Sequence, residues 1–224
     1  FGPGGMFAAL ALALAGLRPI VLERGQDAAA RHEAVRRFWE TGTLDPASNV
    51  QFGEGGAGTF SDGKLNTGVN DPRIQWILEQ FAAAGADESI LYDAKPHIGT
   101  DALLTVVQNL RRRILALGGE VRFSAQATGF LREDGALSGL EVCERGETYT
   151  LPCRHAILAI GHSARDTFET LLQSGVPMEP KAFSMGVRIE HRQEMVNKSQ
   201  YGAFADRLGA ADYKLNVRFP DGTS

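Results

Sequence analysis

FGPGGMFAALALALAGLRPIVLERG, residues 1–25, is the stretch from which the rest of the chain is read. Gly2 and Gly5 fill the second and third glycine positions of the pattern G-x-G-x-x-G, whose first glycine would stand just before Phe1. At Gly2 the backbone can come close to a pyrophosphate, and at Gly5 a helix can pack tightly on a sheet. The alanine- and leucine-rich run that follows is a strong helix former, and Gly16 is a natural stop. The free N–H groups at the start of such a helix, together with its dipole, hold negative charge. RPIVLE, residues 18–23, then reads as a short buried strand with Ile20, Val21 and Leu22 as its apolar run. It ends on Glu23, 18 residues after Gly5, where an acidic side chain accepts hydrogen bonds from an adenosine ribose. The same carboxylate would repel a 2′-phosphate, which argues against NADP. Taken alone, each feature has a bland reading: glycines at a helix start for packing, and a solvated glutamate at a strand end.

Further along, residues 31–40 read as a helix with Val35, Phe38 and Trp39 on one side. Residues 52–68, FGEGGAGTFSDGKLNTG, are dense in glycine and lack a periodic apolar pattern. They read as a long loop, and long ordered loops in compact domains are usually functional. Asp71 as N-cap and Pro72 at the first position start another helix, which buries Ile74, Ile77, Leu78 and Phe81 and closes at Gly85. Residues 100–117 form the clearest amphipathic helix, with Leu103, Leu104, Val107, Leu110, Ile114 and Leu117 at helical spacing. A strand follows at 120–123. The period then changes to three short strands, 127–131, 137–143 and 149–151. Turns at 133–135 and 144–146 join them into a β-meander. HAILAI, residues 155–160, reads as a buried strand ending at Gly161, with a helix near 166–173. Pro177 and Pro180 mark a linker, and residues 183–190 read as the start of a sheet in a second domain.

Composition narrows the function classes. A net charge of −4 with scattered arginines leaves no footprint for a phosphate backbone, so nucleic acid is not an expected partner. Cys143 and Cys153 stand ten positions apart with no CxxC pair, which suits neither a disulfide framework nor a zinc site. They read as small side chains on neighbouring strands in a reducing, cytoplasmic setting, and no metal is expected. The longest apolar stretch, residues 6–17, is too short to span a bilayer.

The segments GPGGMFAAL at 2–10, VLERG at 21–25 and NVQFGEGGAGTFSDGKLNTG at 49–68 carry a more specific likeness. HIGTD at 97–101, AIGHSARDTFE at 159–169, GVRIEH at 186–191, QYG at 200–202 and LGAADYKL at 208–215 extend it over nearly the whole chain. The sequence resembles the FAD-dependent dehydrogenases whose FAD domain is of the glutathione-reductase and hydroxybenzoate-hydroxylase type. That resemblance implies an α/β fold: a Rossmann-like FAD-binding domain over residues 1–175, with a parallel sheet, helices and a three-stranded meander. Its first strand is absent, and a helical insertion covers about 70–117. Residues 176–224 would begin a substrate domain, and the likeness implies a fragment of a longer protein.

The resemblance also implies roles. Gly2, Pro3, Gly4 and Gly5 would line the pyrophosphate, with Glu23 and Arg24 at the adenosine ribose. Ala127 would offer a backbone group to the adenine. Gly56, Ala57, Gly58, Thr59, Ser61, Asp62, Gly63, Lys64 and Leu65 would wrap the flavin side, with Gly161 near the pyrophosphate. Lys64 is a cationic candidate for stabilising the reduced flavin; its bland reading is a solvated loop lysine. His162 and Arg165 follow a strand end, where ligands gather in open α/β sheets. There they would contact flavin or substrate, or Ser163 would merely cap the next helix. His97 has a similar dual reading, ligand contact or helix entry. The implied chemistry is hydride transfer between FAD and a small-molecule substrate, with NAD(P)H as a possible electron donor. Two alternatives stay open: an NAD-binding dehydrogenase, and a non-catalytic FAD-binding module.

Overall fold

The computed structural model describes all residues except 62, 66, 94, 184–186, 188, 214–219 and 221–224. The chain divides into two compact units, Phe1–Pro177 and Met178–Ser224.

In the first unit, helix α1 (Pro3–Leu14) has Gly2 as its N-cap and Pro3 at its first position, where a missing N–H costs nothing. It closes with Gly16 N–H on the Ala13 carbonyl and Leu17 N–H on the Leu12 carbonyl, the paired bonds of a Schellman motif. Strand β1 (Ile20–Glu23) follows and pairs in parallel with β2 (Glu120–Phe123), Ile20 opposite Glu120 and Glu23 opposite Phe123. Helix α2 (Ala28–Thr41) starts earlier than its periodicity suggests. The Asp27 carboxylate caps it by accepting the Ala29 and Ala30 N–H groups. Its inner face is Ala28, Arg31, Ala34 and Val35, which leaves Trp39, expected on the inner side, 73% exposed.

Helix α3 (Arg73–Ala83) begins one residue later than expected: Pro72 is the N-cap, and Asp71 accepts the Arg73 N–H. Helix α4 (Thr100–Ala116) supplies the spine of the core. Its Val106, Leu110 and Ile114 are fully buried against Met6 and Leu10 of α1, Phe81 of α3 and Ile90. Each such side chain contributes about 2 kcal/mol by leaving water. The meander is β3 (Ala125–Glu133), β4 (Ala136–Glu144) and β5 (Glu147–Pro152) in that order, all antiparallel. Both connections are two-residue turns, Asp134-Gly135 and Arg145-Gly146, with positive φ at both positions, the type I′ geometry that suits the twist of a hairpin. Helix α5 (Arg165–Gln173) completes the unit.

The expected buried strand at 155–160 is corrected: these residues carry no ladder, and Ile157 stands 63% exposed. A strand exists only through hydrogen bonds to a neighbour. Among the described residues the only partner of β1 is β2, and residues 155–160 have none.

In the second unit, helix α6 (Gln193–Tyr201) is followed by a short 3-10 turn at Gly202–Phe204. Gln193 and Asn197 bond the Ala211 backbone, and His191 is hydrogen-bonded to the Tyr213 hydroxyl. Of the sheet expected at 183–190, residues 184–186 and 188 lie outside the described residues, and those described form no strand. Among the described residues no helix is long and apolar enough to cross a membrane, and no group of His, Cys, Asp or Glu could hold a metal ion.

Candidate functional site

The start of α1, the end of β1, the glycine loop, β3 and residues 155–162 all border one groove of about 740 Å³. At its glycine end, two stretches of backbone meet. A Cβ built on Gly56 would stand 2.9 Å from the Gly2 Cα and 3.2 Å from the Pro3 Cδ, and Gly56 has a φ of +64°. Neither contact leaves room for a side chain at Gly56. Gly55 N–H donates to the Phe1 carbonyl and ties the loop to the entrance of α1. The first bond within α1 is Met6 N–H to the Gly2 carbonyl, so the N–H groups of Gly4 and Gly5 precede it and have no helical acceptor. Bare backbone and helix-start donors at one place form a cradle for an anionic group such as a pyrophosphate.

The Glu23 side chain lies at this end, 6% exposed. Its carboxylate accepts Gly25 N–H at 2.8 Å and Gly53 N–H at 3.0 Å, and it also accepts from the Phe1 nitrogen. An ionised carboxylate has about four acceptor positions, so one remains for a ribose hydroxyl. Arg24 turns away from solvent, bonding both Asp166 oxygens at 2.9 and 3.0 Å and the Thr167 hydroxyl, with its guanidinium 4.5 Å over the Phe52 ring. Gln126 also donates to Asp166, so this cluster fastens β1, β3, α5 and the loop along the rim.

The predicted site residues divide into two groups. Gly2, Pro3, Gly4, Gly5, Glu23, Arg24, Gly56, Ala57, Ala127, Gly161 and His162 all line the groove. Gly58, Thr59, Ser61, Gly63, Lys64 and Leu65 line a separate, smaller and mostly apolar cavity of about 120 Å³, which Pro3 also borders. Asp62 lies outside the described residues. Around the 3-10 turn at Gly56–Phe60, within the expected loop, Gly53, Gly56 and Ala57 face the groove, while Gly55, Gly58 and Thr59 face the smaller cavity. Past it, residues 63–65 run antiparallel to 96–98, with Leu65 N–H on the Pro96 carbonyl and Ile98 N–H on the Gly63 carbonyl. His97 sits in that bridge. Arg165 begins α5 and does not border the groove. The expected capping role of Ser163 is corrected: Ala164 is the N-cap, and the Ser163 hydroxyl bonds the His162 Nδ1 at 2.8 Å. The apolar part of the groove, with Ile20, Leu22, Leu140, Ile157 and Leu158, suits burial of apolar matter rather than phosphate.

Two functional-looking residues were not singled out from the sequence. Arg31 and Glu54 are both fully buried. The spacing of Ala28, Arg31 and Val35, three and four apart, could have placed Arg31 on the inner face of α2. Nothing in the sequence marks Glu54 apart from its place within the glycine run.

A parallel strand pair, a glycine-entered helix and an acidic strand end border one groove of an α/β fold. Over residues 182–224 the chain matches the family described as "FAD-dependent protein, C-terminal domain-like". Residues 182–224 are thus similar to the C-terminal domain of FAD-dependent proteins, and FAD is the cofactor that this likeness supports. The chain is 50% identical over 220 residues to an uncharacterized protein of Clostridium beijerinckii, covering 97% of this chain and 40% of that one. The chain therefore spans less than half the length of that relative. A protein of Photobacterium profundum named 3-deoxy-manno-octulosonate cytidylyltransferase is 27% identical over 158 residues, 66% of this chain and 54% of that one. Among solved structures, the THI4 protein of Thermovibrio ammonificans superposes with a TM-score of 0.49 at 15% identity, covering 79% of this chain and 60% of that one. The backbone cradle at Gly2 and Gly56 and the helix-start donors of Gly4 and Gly5 fit the pyrophosphate of such a cofactor.

Proposed function

We propose that this chain is the FAD-binding part of a flavin-dependent oxidoreductase that moves hydride between the flavin and a small-molecule substrate. The observation that carries this reading is the close approach of Gly2 and Gly56 at the start of α1. The match of residues 182–224 to FAD-dependent proteins supports it. When bound, FAD supplies the redox chemistry, and the protein supplies binding, orientation and electrostatics. Gly4 and Gly5 N–H groups, with the α1 dipole, hold pyrophosphate charge. The remaining acceptor position of Glu23 takes a ribose hydroxyl. Ala127 and Gly161 border the groove with at most a methyl group, so they leave room for a flat or extended ligand. His162, held by Ser163, stands at the groove as the candidate for contact with flavin or substrate. Lys64, the expected cationic candidate, lines the smaller cavity and not the groove.

The test is the visible absorbance of this chain, purified beside a version extended at both ends and each supplemented with FAD. A flavin doublet retained through desalting supports the reading, and its absence from both versions overturns it. Bleaching of that doublet by a reduced nicotinamide or an organic donor distinguishes an oxidoreductase from a non-catalytic FAD-binding module.

A further inference from the structure

Arg31 is 0% exposed, and among the described residues its guanidinium makes no hydrogen bond to a carboxylate. Instead it gathers main-chain carbonyls of the glycine loop. Nε donates to the Asn49 carbonyl at 2.8 Å, and Nη1 donates to the Glu54 carbonyl at 2.6 Å and, more weakly, to that of Gly53 at 3.4 Å. The stem packs on Gly53, where an added Cβ would lie 2.4 Å from the Arg31 Cδ. The Phe60 ring lies 4.7 Å from the guanidinium carbon and covers it.

The planar trans peptide carries the consequence outward, because its C=O and N–H point in opposite directions. With the Gly53 carbonyl turned to Arg31, Glu54 N–H faces away and donates to the Gln26 carbonyl at 3.1 Å. With the Glu54 carbonyl turned to Arg31, Gly55 N–H faces away and donates to the Phe1 carbonyl at 2.9 Å. That bond holds the entrance of α1 against the loop, where Gly2 meets Gly56. One side chain thus sets the orientation of the peptides that form the cradle, without bordering the groove itself.

We propose that Arg31 is a positioning residue for FAD, fixing the turn at 53–56 so that the pyrophosphate cradle exists before the cofactor arrives. The fork of donors matters here, and a point charge does not replace it, because a lysine ammonium cannot reach carbonyls on both sides at once. The inference rests on the reading of the groove as the FAD site.

The experiment compares FAD titrations, followed by flavin fluorescence, of the unaltered protein, Arg31→Lys and Arg31→Ala, with the thermal midpoint of each apoprotein recorded alongside. Failure of the unaltered protein to bind FAD sinks the site reading itself. If it binds, Arg31→Lys is expected to bind FAD about tenfold or more weakly, the scale of a lost charge-assisted hydrogen bond. Methylguanidinium is expected to restore FAD binding to Arg31→Ala, and methylammonium is not. Unchanged affinity in Arg31→Lys, or equal rescue by both cations, overturns the proposal. Should neither variant fold, amide exchange of the unaltered apoprotein still decides. Gly55 N–H protected without FAD supports a preset cradle, whereas protection only after FAD is added overturns it.

Discussion

The backbone of Gly56 lies so close to that of Gly2 that a Cβ on Gly56 would sit 2.9 Å from the Gly2 Cα. Two glycines that are distant in sequence make one surface, and the groove begins there. The converse contact is looser: a Cβ on Gly2 would meet the Gly56 Cα at 3.5 Å, an ordinary packing distance.

The two positions should therefore respond unequally to alanine. Gly56→Ala meets both the short contact and a φ of +64°, and should lose about 1–2 kcal/mol of stability from the backbone alone. It should also weaken FAD binding more than Gly2→Ala does. Urea unfolding and FAD titration of the two variants check the order, and equal effects would refute the cradle geometry.

Leu110 of α4 is fully buried at the centre of the larger core. Leu110→Ala should cost about 2–5 kcal/mol, from lost transfer energy and the cavity left behind. Leu172, at 60% exposed, should cost within about 0.5 kcal/mol when changed to alanine. Paired denaturant curves test the contrast.

Glu23 accepts two buried backbone N–H groups, from Gly25 and Gly53. Glu23→Ala leaves both donors without an acceptor and should destabilise the apoprotein by about 1–3 kcal/mol for each one stranded. A loss of FAD affinity with unchanged apoprotein stability would instead show that Glu23 acts on the ribose alone.

Asp166 and Glu54 should show opposite pH dependence. Arg24 holds the Asp166 carboxyl below its ordinary value of 3.8. Its contribution is in place above 3.8 and is lost as pH falls through the depressed value. Asp166 is half exposed, so the effect is small. Burial pushes the Glu54 carboxyl above its ordinary 4.5, and the Ala28 N–H and Arg111 recover only part of the shift. Its contribution is full below 4.5 and is lost as pH rises through the raised value. Stability measured against pH should therefore fall for Asp166→Asn relative to the unaltered protein only above acid pH. Glu54→Gln should gain relative to it as pH rises toward neutrality. Curves of the same sign for both variants would contradict the two environments.

Much of the local structure could be read from single residues, because local backbone chemistry governs it. Gly16 and Gly118 stand where α1 and α4 stop, and both close with the same paired bonds. Asp134-Gly135 and Arg145-Gly146 set the two hairpins, since both positions of each turn need a positive φ. Pro3 after Gly2 starts α1, and the leucines of α4 point to the core that they form. These features depend on residues a few positions apart, so the amino-acid order is sufficient.

The site depends on long-range geometry. The run at 52–68 reads as one loop, yet around the 3-10 turn at Gly56–Phe60 its residues face two different cavities. The direction of the Glu23 carboxylate, the burial of Arg31 and the exposure of residues 155–160 share a cause. Each depends on which backbone groups arrive from elsewhere in the chain to donate, accept or pair. HAILAI has every local mark of a strand, but a strand needs a neighbour and none is described beside it. The sequence alone thus determines where the glycine-entered helix, the acidic strand end and the hairpins lie. The folded chain determines which of their polar groups stay available to a cofactor, because that turns on partners far apart in sequence.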